Sequence, residues 1–162
     1  MSFRIGLGKD SHRFSEDKSE KTLIIGGIEF PGLPSFIAHS DGDVLFHAVF
    51  NAISSGLGLH SIGHYFPNAS AGEAGRNSHE YLIYVKTLCA NAGYNIANLS
   101  IAVECKFPAI DPVSAKMRSK LAEALSLDQS QIGITATSGE QTSPWGQGLG
   151  VEVTAIVLLE KD

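Results

Sequence analysis

The sequence predicts an α+β fold of the α/β-sandwich type, with one mixed sheet of about four or five strands and helices on one face. Two observations predict this fold. Short runs in which apolar residues alternate with polar or small ones are typical of strands, and between them lie longer segments whose apolar residues recur at helical spacing. No repeat or low-complexity stretch interrupts the 162 residues, which we expect to form one domain over 1–162. We expect self-association through the uncovered face of the sheet.

Strand patterns begin close to the amino terminus. Residues 3–8 place an apolar side chain at every second position, which is typical of a strand that leads into a polar segment at residues 9–12. Gly26 and Gly27 indicate a tight turn between two short strands at 23–25 and 28–30. The remaining strands are predicted at 96–105, 132–137 and 150–159.

Three segments carry helical patterns. The first helix is predicted over 42–55, with Ser40 and Asp41 supplying the N-cap and Gly56 ending it. The other two are predicted over 79–92 and 112–125. Residues 60–78 have no clear period and are predicted to form a mobile loop; loops of this length in compact domains are usually functional.

Composition limits the classes of function. The net charge is -5 and the pI is about 5.6, so no global positive field draws the chain to nucleic acid or anionic lipid. The amino terminus lacks the features of a signal peptide and no apolar run reaches the ~18 residues of a spanning helix, which predicts a cytoplasmic protein. In that compartment Cys89 and Cys105 are expected to be buried free thiols.

Two polar clusters suggest a metal site. Asp10 and His12 are separated by one residue, and alternate residues of an extended segment point to the same side. His47 lies in the first predicted helix, with Asp43 as its i−4 neighbour on the same face. One aspartate and two histidines form a common catalytic zinc set that leaves a position open for substrate. The alternative is that these are ordinary surface polar groups, with the aspartates favouring a helix amino terminus.

Two further features suggest phosphate chemistry. His39 precedes the first predicted helix, where a ring near the free amides could donate to a phosphate; the alternative is an ordinary loop histidine. Residues 135–140 (TATSGE) follow a strand, so hydroxyls and turn amides there can bind phosphate oxygens while Glu140 holds a hard cation. The alternative for this segment is a plain strand-to-turn transition. The remaining histidines, His60, His64 and His79, are expected on loop or helix surfaces.

Several motifs taken in order resemble 2-C-methyl-D-erythritol 2,4-cyclodiphosphate synthases over essentially the whole chain. They are DSH, HSDGDVLFHA, IGHYFP, CKFPAIDP, TATSGE and the glycine-rich segment before the last strand, and HSDGD followed by His47 is the most specific. The resemblance implies that Asp10, His12 and His47 bind zinc or another divalent transition metal, one per subunit. It also implies that Glu140 helps to hold Mg²⁺ or Mn²⁺ on the diphosphate, and that His39 and Ser138 polarise the phosphates.

The resemblance also implies the substrate contacts. Residues 105–111 would form the cytosine pocket, and residues 61–70 would close over the methylerythritol part. The residues implied to bind substrate are Asp10, His12, His39, Ser40, Ser61, Ile62, Gly63, Phe66, Asn68, Ser70, Cys105, Lys106, Phe107, Pro108, Ala109, Ile110, Asp111, Thr137, Ser138, Gly139 and Glu140.

The implied reaction belongs to the non-mevalonate pathway of isoprenoid biosynthesis. A 2-phosphate oxygen of 4-diphosphocytidyl-2-C-methyl-D-erythritol 2-phosphate attacks the β-phosphorus, expels CMP and closes the cyclic diphosphate. The resemblance implies a homotrimer with active sites between adjacent subunits. Two rival interpretations remain open: a metal-dependent phosphohydrolase that uses water as the nucleophile, and a non-catalytic metal- or nucleotide-binding trimer.

Some positions depart from the family pattern. Ser61 and Asn68 each replace a usual aspartate, and so does Asn51, whose carbonyl could still accept from an imidazole. Ser138 replaces a usual threonine and keeps the hydroxyl. Residues 147–150 read QGLG instead of RGEG, and Leu7 replaces a frequent histidine. Because those last positions line an axial cavity in relatives, we predict weak binding of isoprenoid diphosphates such as geranyl diphosphate.

Overall fold

A four-stranded mixed sheet forms the centre of the computed structural model, which describes residues 1–16, 21–38, 40–67 and 77–161. The strands in chain order are β1 (Ser2–Arg13), β2 (Leu23–Ile25), β3 (Ile28–Phe30), β4 (Asn95–Glu104), β5 (Ile132–Thr137) and β6 (Gly150–Lys161). The sheet has the order β1-β6-β4-β5, in which β6 runs antiparallel to both neighbours and β4 pairs with β5 in parallel. Strands β2 and β3 form a separate hairpin. The predicted mixed sheet is therefore confirmed.

The helices cover one face of this sheet. They are α1 (Val44–Gly56), α2 (Ile62–Tyr65), α3 (Ser78–Asn91) and α4 (Ser114–Leu125), with short 3-10 turns at Asp111–Val113, Gln129–Gln131 and Gly139–Gln141. Helix α1 packs across β1 and β6, α3 packs against α1 and β4, and α4 packs against β5. Within the described ranges, no helix has the length and hydropathy needed to cross a membrane.

Glycines bring the first strand and the first helix unusually close together. A Cβ atom built on Gly6 or Gly8 would overlap backbone atoms of α1, including the carbonyl oxygens of Ala52 and Ala48 respectively. The even-numbered positions of β1 therefore face the helix, and the odd-numbered apolar positions face outward. Ile5 is 74% exposed, and the neighbouring Phe3 and Leu7 are exposed as well. The sheet thus has an uncovered face with an apolar stripe along β1.

The first helix begins later than the sequence predicted. Its N-cap is Asp43, whose side chain accepts from the backbone amides of Leu45 and Phe46, so the assignment of the cap to Ser40 and Asp41 was wrong. The same carboxylate accepts from the amides of Gly26 at 2.8 Å and Gly27 at 2.6 Å. These partners in the hairpin turn fix the start of α1 at Val44.

Two other predicted boundaries differ from the structure. Strand β1 continues through Asp10 and His12 to Arg13, because it pairs with β6 along its whole length. The segment predicted as one loop over 60–78 contains helix α2, whose first amide, that of Ile62, donates to Asn51 Oδ1 at 3.0 Å. Residues 68–76 of that segment lie outside the described ranges.

Both cysteines are buried and unpaired with each other, as the sequence predicted. Burial raises the pKa of the Cys89 thiol. Burial, with a smaller contribution from Glu104, raises the pKa of Cys105 to about 11, and its thiol donates to the carbonyl of Pro108 at 3.4 Å. Both groups are therefore neutral structural thiols near neutral pH.

Candidate functional site

Asp10, His12 and His47 converge at one point between the sheet and the first helix. His47 Nδ1 lies 3.0 Å from Asp10 Oδ2, and His12 Nε2 lies 3.2 Å from the same oxygen. The two ring nitrogens are 3.4 Å apart. Residues separated by 37 positions in the sequence thus present one carboxylate oxygen and two imidazole nitrogens to a common centre.

The backbone explains why these side chains meet. Asp10 and His12 occupy alternate positions of β1 and so point to the helix-covered face. His47 lies in the first turn of α1, and its backbone amide donates to Asp43 O at 3.0 Å. The close approach of β1 and α1 at Gly8 brings the strand residues within reach of the helix residue.

The three side chains, which we call the metal corner, fit a divalent transition metal. Their ligand atoms all lie within 4.8 Å of one another, and among the described residues no other group of three such side chains meets this condition. Burial lowers the pKa of His12, partly opposed by the charge of Asp10. Neutral imidazole is the form that binds metal, so this environment favours coordination. One oxygen and two nitrogen donors match the ligands that zinc takes in proteins.

Asp43 does not belong to the metal corner. The sequence placed its side chain on the same helix face as His47, but the carboxylate turns toward the β2–β3 hairpin and accepts four backbone hydrogen bonds there and at the helix start. Burial raises the pKa of Asp43, and these backbone donors oppose the rise. Its role is to join the hairpin to α1.

A cavity of about 280 Å³ opens beside the metal corner. Besides Asp10 and His12 of the metal corner, four residues expected at the substrate line it: Ser40, Ile62, Gly63 and Phe66. The lining also includes Ile37, Ala38 and Tyr81, which sequence reasoning missed because an apolar or aromatic side chain carries no chemical signal of its own. Ser61 is exposed at the N-cap position of α2 and is absent from this lining. His39, Asn68 and Ser70 fall outside the described ranges.

A second cavity, of about 310 Å³, lies at the opposite edge of the sheet, beside β5. Its lining is Cys105, Lys106, Pro108, Ala109, Ile110, Asp111, Pro112, Ala136, Thr137 and Ser138. This set contains most of the segment expected to bind cytosine. Phe107 is the exception, because its ring stacks on Phe14 with the ring centroids 4.9 Å apart. Pro112 and Ala136 also line the cavity, and no pattern in the sequence indicated this role for them.

The turn after β5, residues 138–141, carries the predicted phosphate-binding groups. Ser138 Oγ donates to Glu140 Oε1 at 3.1 Å, and both residues are exposed. Glu140 and Gln141 have positive φ angles of 45° and 61°, so this backbone bends sharply. Thr137 Oγ1 accepts from the amide of Gly139 at 3.2 Å. The turn thus exposes a carboxylate and hydroxyls, and its amides at Gly139 and Glu140 donate to the side chains of Thr137 and Ser138, so an anionic ligand would have to exchange these internal hydrogen bonds for its own.

The metal corner and this turn lie on the same side of the sheet but at opposite edges. Asp10 on β1 is opposite Val153 on β6, which is opposite Val103 on β4, which is opposite Ala136 on β5. Three interstrand spacings separate the first and last positions, or about 14 Å. The two groups of predicted site residues, the metal corner and the turn at 138–141, are therefore separated within one chain.

Among the described residues, no hydrogen bond joins Asn51 to an imidazole. Its Oδ1 accepts from the amide of Ile62, and its Nδ2 lies 3.5 Å from the carbonyl of Lys9. The side chain consequently ties the first turn of α2, which lines the metal-corner cavity, to the middle of α1. Residues His60 and His64 lie on the surface, as predicted, with their ring centroids 4.2 Å apart, and His79 is partly exposed at the start of α3.

Comparison with known proteins gives consistent results. The model of the YgbB family matches residues 3–160. Over 159 residues the chain is 40% identical to 2-C-methyl-D-erythritol 2,4-cyclodiphosphate synthase of Chromohalobacter salexigens, covering 98% of this chain and 96% of that one. The same enzyme of a Nostoc species is also 40% identical, with 98% and 94% covered.

Solved structures agree with these sequence matches. The CDP complex of IspF from Plasmodium falciparum superimposes with a TM-score of 0.86 at 30% identity, covering 99% of this chain and 98% of that one. Bifunctional IspDF from Campylobacter jejuni gives a TM-score of 0.92 at 30% identity, covering 99% of this chain and 43% of the longer protein.

Proposed function

The chain belongs to the YgbB family, and we propose that it acts as a 2-C-methyl-D-erythritol 2,4-cyclodiphosphate synthase in isoprenoid biosynthesis. The observation that carries the proposal is the convergence of Asp10, His12 and His47 within 4.8 Å. The substrate is 4-diphosphocytidyl-2-C-methyl-D-erythritol 2-phosphate. Its 2-phosphate oxygen forms a bond to the β-phosphorus, the bond from that phosphorus to the CMP oxygen breaks, and the products are the cyclic diphosphate and CMP.

The chemistry requires no nucleophile from the protein. The main task is to hold a flexible polyanion so that two mutually repelling phosphates meet, and such positioning can supply roughly 7 to 11 kcal/mol of a barrier. The chain has a net charge of -5, so phosphate charge has to be neutralised locally. The metal corner and the turn at 138–141 are two places where the described residues could do so.

At the metal corner, Asp10, His12 and His47 would hold one zinc or similar divalent ion per subunit. A bound ion there would polarise phosphate oxygens and offset the charge that builds up as the ring closes. The lowered pKa of His12 supports this role because it keeps the imidazole in its ligand form. Ser40, Ile62, Gly63 and Phe66 border the adjoining cavity and would position the methylerythritol part, together with Ser61, Asn68 and Ser70 of the same segment.

At the turn, the exposed carboxylate of Glu140 would hold Mg²⁺ or Mn²⁺ on the diphosphate, since hard cations prefer oxygen ligands. Ser138 Oγ would donate to a phosphate oxygen, and Thr137 and Gly139 would add a hydroxyl and an amide. His39 would also polarise the phosphates. The substrate must therefore reach both groups of residues at once.

The cavity beside β5 would receive the cytidine part. Solved relatives bind CDP, as the Plasmodium falciparum complex does. Most of the residues 105–111 border this cavity, and Phe107 would support it from behind by stacking on Phe14. Recognition here would depend mainly on backbone groups, which explains how the segment could vary in sequence and keep its ligand.

We propose a homotrimer in which the active site lies between adjacent subunits. The exposed apolar stripe of Phe3, Ile5 and Leu7 on the uncovered sheet face supports association. The separation of about 14 Å between the metal corner and Ala136 supports a site completed by a neighbouring subunit. Sedimentation velocity would measure the assembly.

The single catalytic domain, the cytoplasmic location and the weak binding of isoprenoid diphosphates remain predictions.

Product analysis tests the function directly. The protein is incubated with the cytidyl substrate, Mg²⁺ and zinc, and the products are followed by phosphorus NMR. A cyclic diphosphate together with CMP is the expected result. A linear phosphorylated product would identify a phosphohydrolase instead, and tight CDP binding without turnover would identify a non-catalytic binding protein.

A further inference from the structure

We propose that Ser78 and Asp41 are positioning residues that fix which nitrogen of His47 carries its proton, so that Nδ1 is left to bind the metal. The proposal rests on the proposed metal corner and extends it with two residues from other parts of the chain. Neither contacts the three ligand atoms' common centre directly. Ser78 contacts Nε2 of His47, the ring nitrogen that does not face the metal corner, and Asp41 acts through Ser78.

The three side chains form a chain of hydrogen bonds in which His47 and Ser78 are buried and Asp41 is half-buried. His47 Nε2 lies 3.0 Å from Ser78 Oγ, and Ser78 Oγ in turn makes a short hydrogen bond to Asp41 Oδ1. The backbone amide of Ser78 donates to the other carboxylate oxygen of Asp41 at 2.8 Å. Ser78 is 0% exposed and His47 is 8% exposed, so water has little access to this chain.

Proton counting assigns the direction of each bond. A carboxylate only accepts, so the single hydroxyl proton of Ser78 is donated to Asp41. The Ser78 oxygen is then an acceptor for the ring, and Nε2 of His47 must carry the hydrogen. In a neutral imidazole this leaves the lone pair on Nδ1, the nitrogen that lies 3.0 Å from Asp10 Oδ2 in the metal corner. The orientation of one hydroxyl thus determines whether His47 can act as a ligand.

The start of α3 strengthens this arrangement. Ser78 lies in the first turn of α3, where free amides and the helix dipole favour a negative charge, and Asp41 accepts from the first of these amides. Asp41 Oδ1 also accepts from the amide of Asp43 at 3.1 Å. With these donors around it, the carboxylate is held as an acceptor for the serine hydroxyl.

Ser40 is the competing partner and provides a matched control. Its hydroxyl lies 3.5 Å from the same ring nitrogen, at the limit of a hydrogen bond, and it already accepts from the amide of Gly42 at 3.1 Å. Ser78 is closer and is itself held by Asp41. The geometry therefore favours Ser78 as the group that determines which nitrogen of His47 carries the proton.

Zinc affinity, measured by competition with a chromophoric chelator, tests the proposal in the full-length protein. Ser78→Ala is expected to weaken zinc binding by about 10- to 100-fold, the usual cost of losing a partner that orients a metal-binding histidine. Ser78→Thr keeps the hydroxyl and is expected to stay within a few-fold of the unaltered protein, and Ser40→Ala is expected to do the same. Equal zinc affinity in Ser78→Ala and the unaltered protein would overturn the proposal.

Asp41→Asn gives a test that preserves shape. The asparagine amide can donate to Ser78 Oγ, which frees the serine proton to point at His47 Nε2 and leaves the hydrogen of the neutral ring on Nδ1. Long-range proton–nitrogen NMR is expected to show hydrogen on Nε2 of His47 in the unaltered protein and a loss of that pattern in Asp41→Asn. The same nitrogen pattern in both proteins would contradict the inference, even if Asp41→Asn were less stable.

These measurements separate this inference from the proposed function. Failure to form the cyclic diphosphate would count against the reaction but would leave the zinc and nitrogen measurements unaffected. Conversely, a normal product with unchanged zinc affinity in Ser78→Ala would remove only the role of Ser78 and Asp41. An unaltered protein that binds no zinc would overturn both.

Discussion

The metal corner and the turn at 138–141 differ in how firmly the protein holds their polar side chains. The metal corner consists of side chains on a strand and a helix, partly or fully buried, with separations of 3.0 to 3.4 Å already set. The turn is exposed, and Glu140 and Gln141 both lie in the left-handed backbone region. Regular elements hold ligands at fixed positions, whereas an exposed turn can adjust to what it binds. The metal corner therefore holds its side chains at fixed positions, and the turn at 138–141 can adjust its shape.

Removing a ligand from the rigid site should have the largest effect. His47→Ala is expected to lose bound zinc and to lower kcat/KM by at least about 100-fold while the assembly stays trimeric, because two remaining ligands bind zinc weakly. Zinc content by elemental analysis, activity and sedimentation velocity measure these outcomes. His79→Ala, on the first turn of α3, is the matched control and should retain zinc and activity. Full activity in His47→Ala would remove the metal assignment.

A substitution in the exposed turn should change the Mg²⁺ requirement and leave the zinc content unaltered. Glu140→Gln removes a negative charge and weakens the site for a hard cation, so kcat is expected to fall about 10- to 100-fold and half-maximal activity to require more Mg²⁺. Zinc content should be unchanged, which distinguishes this turn from the metal corner. Mg²⁺ titration of activity is the measurement, and Glu123→Gln on the exposed surface of α4 is the control. An unchanged Mg²⁺ requirement would show that Glu140 holds no cation.

The rigidity of the metal corner can be tested through its backbone. Gly8→Ala adds a Cβ atom that would overlap the carbonyl of Ala48 and the backbone of Asn51, so β1 and α1 must separate. We expect a loss of about 1 to 3 kcal/mol in the free energy of unfolding, measured with urea. Gly133→Ala has no atom within 4 Å of the new Cβ and should be nearly neutral. Equal stability of the two variants would mean that the close contact is unimportant.

The smallest effect is expected where Asn51 holds the start of α2, which borders the cavity beside the metal corner. Asn51→Ala removes the acceptor for the amide of Ile62, which frees the start of α2 and leaves one hydrogen bond worth about 1 kcal/mol unmade. KM for the cytidyl substrate should rise about five-fold with little change in kcat. Asn51→Asp keeps the acceptor oxygen and should restore KM. If kcat fell instead, Asn51 would act on the chemical step and not on positioning.

Sequence reasoning recovered the metal corner because its signal lies in residue types. Carboxylate and imidazole side chains at i and i+2 of a strand have to share a face, and a histidine in an adjacent helix completes a known ligand set. Most strands and helices were also located to within two residues, since their periodicity is local, but β1 extends five residues beyond its predicted end and α2 was not predicted. The cavity beside β5 was indicated only by family resemblance, because most of its lining residues are small or apolar and carry no chemical signal of their own.

Long-range contacts account for what the sequence did not predict. The cap of α1 lies at Asp43 because two of its donors come from the hairpin turn, at Gly26 and Gly27, which are 17 and 16 positions away along the sequence. The pairing of Ser78 with Asp41 joins residues 37 positions apart. The burial of glycines instead of apolar residues in β1 depends on how closely α1 approaches. None of these partners can be inferred from local periodicity.

The alternation along β1 also makes the strand sensitive to register. In the observed pairing Gly8 is opposite Ala155 and Asp10 is opposite Val153. A slip of one residue would reverse every side chain of the strand, pressing Leu7 against α1 where only glycine fits and turning Asp10 and His12 away from His47. A chain in the wrong register could therefore neither pack β1 against α1 nor bring Asp10, His12 and His47 together around a metal ion. The ratio of zinc to polypeptide in a purified sample would consequently report the fraction of molecules that folded in the correct alignment.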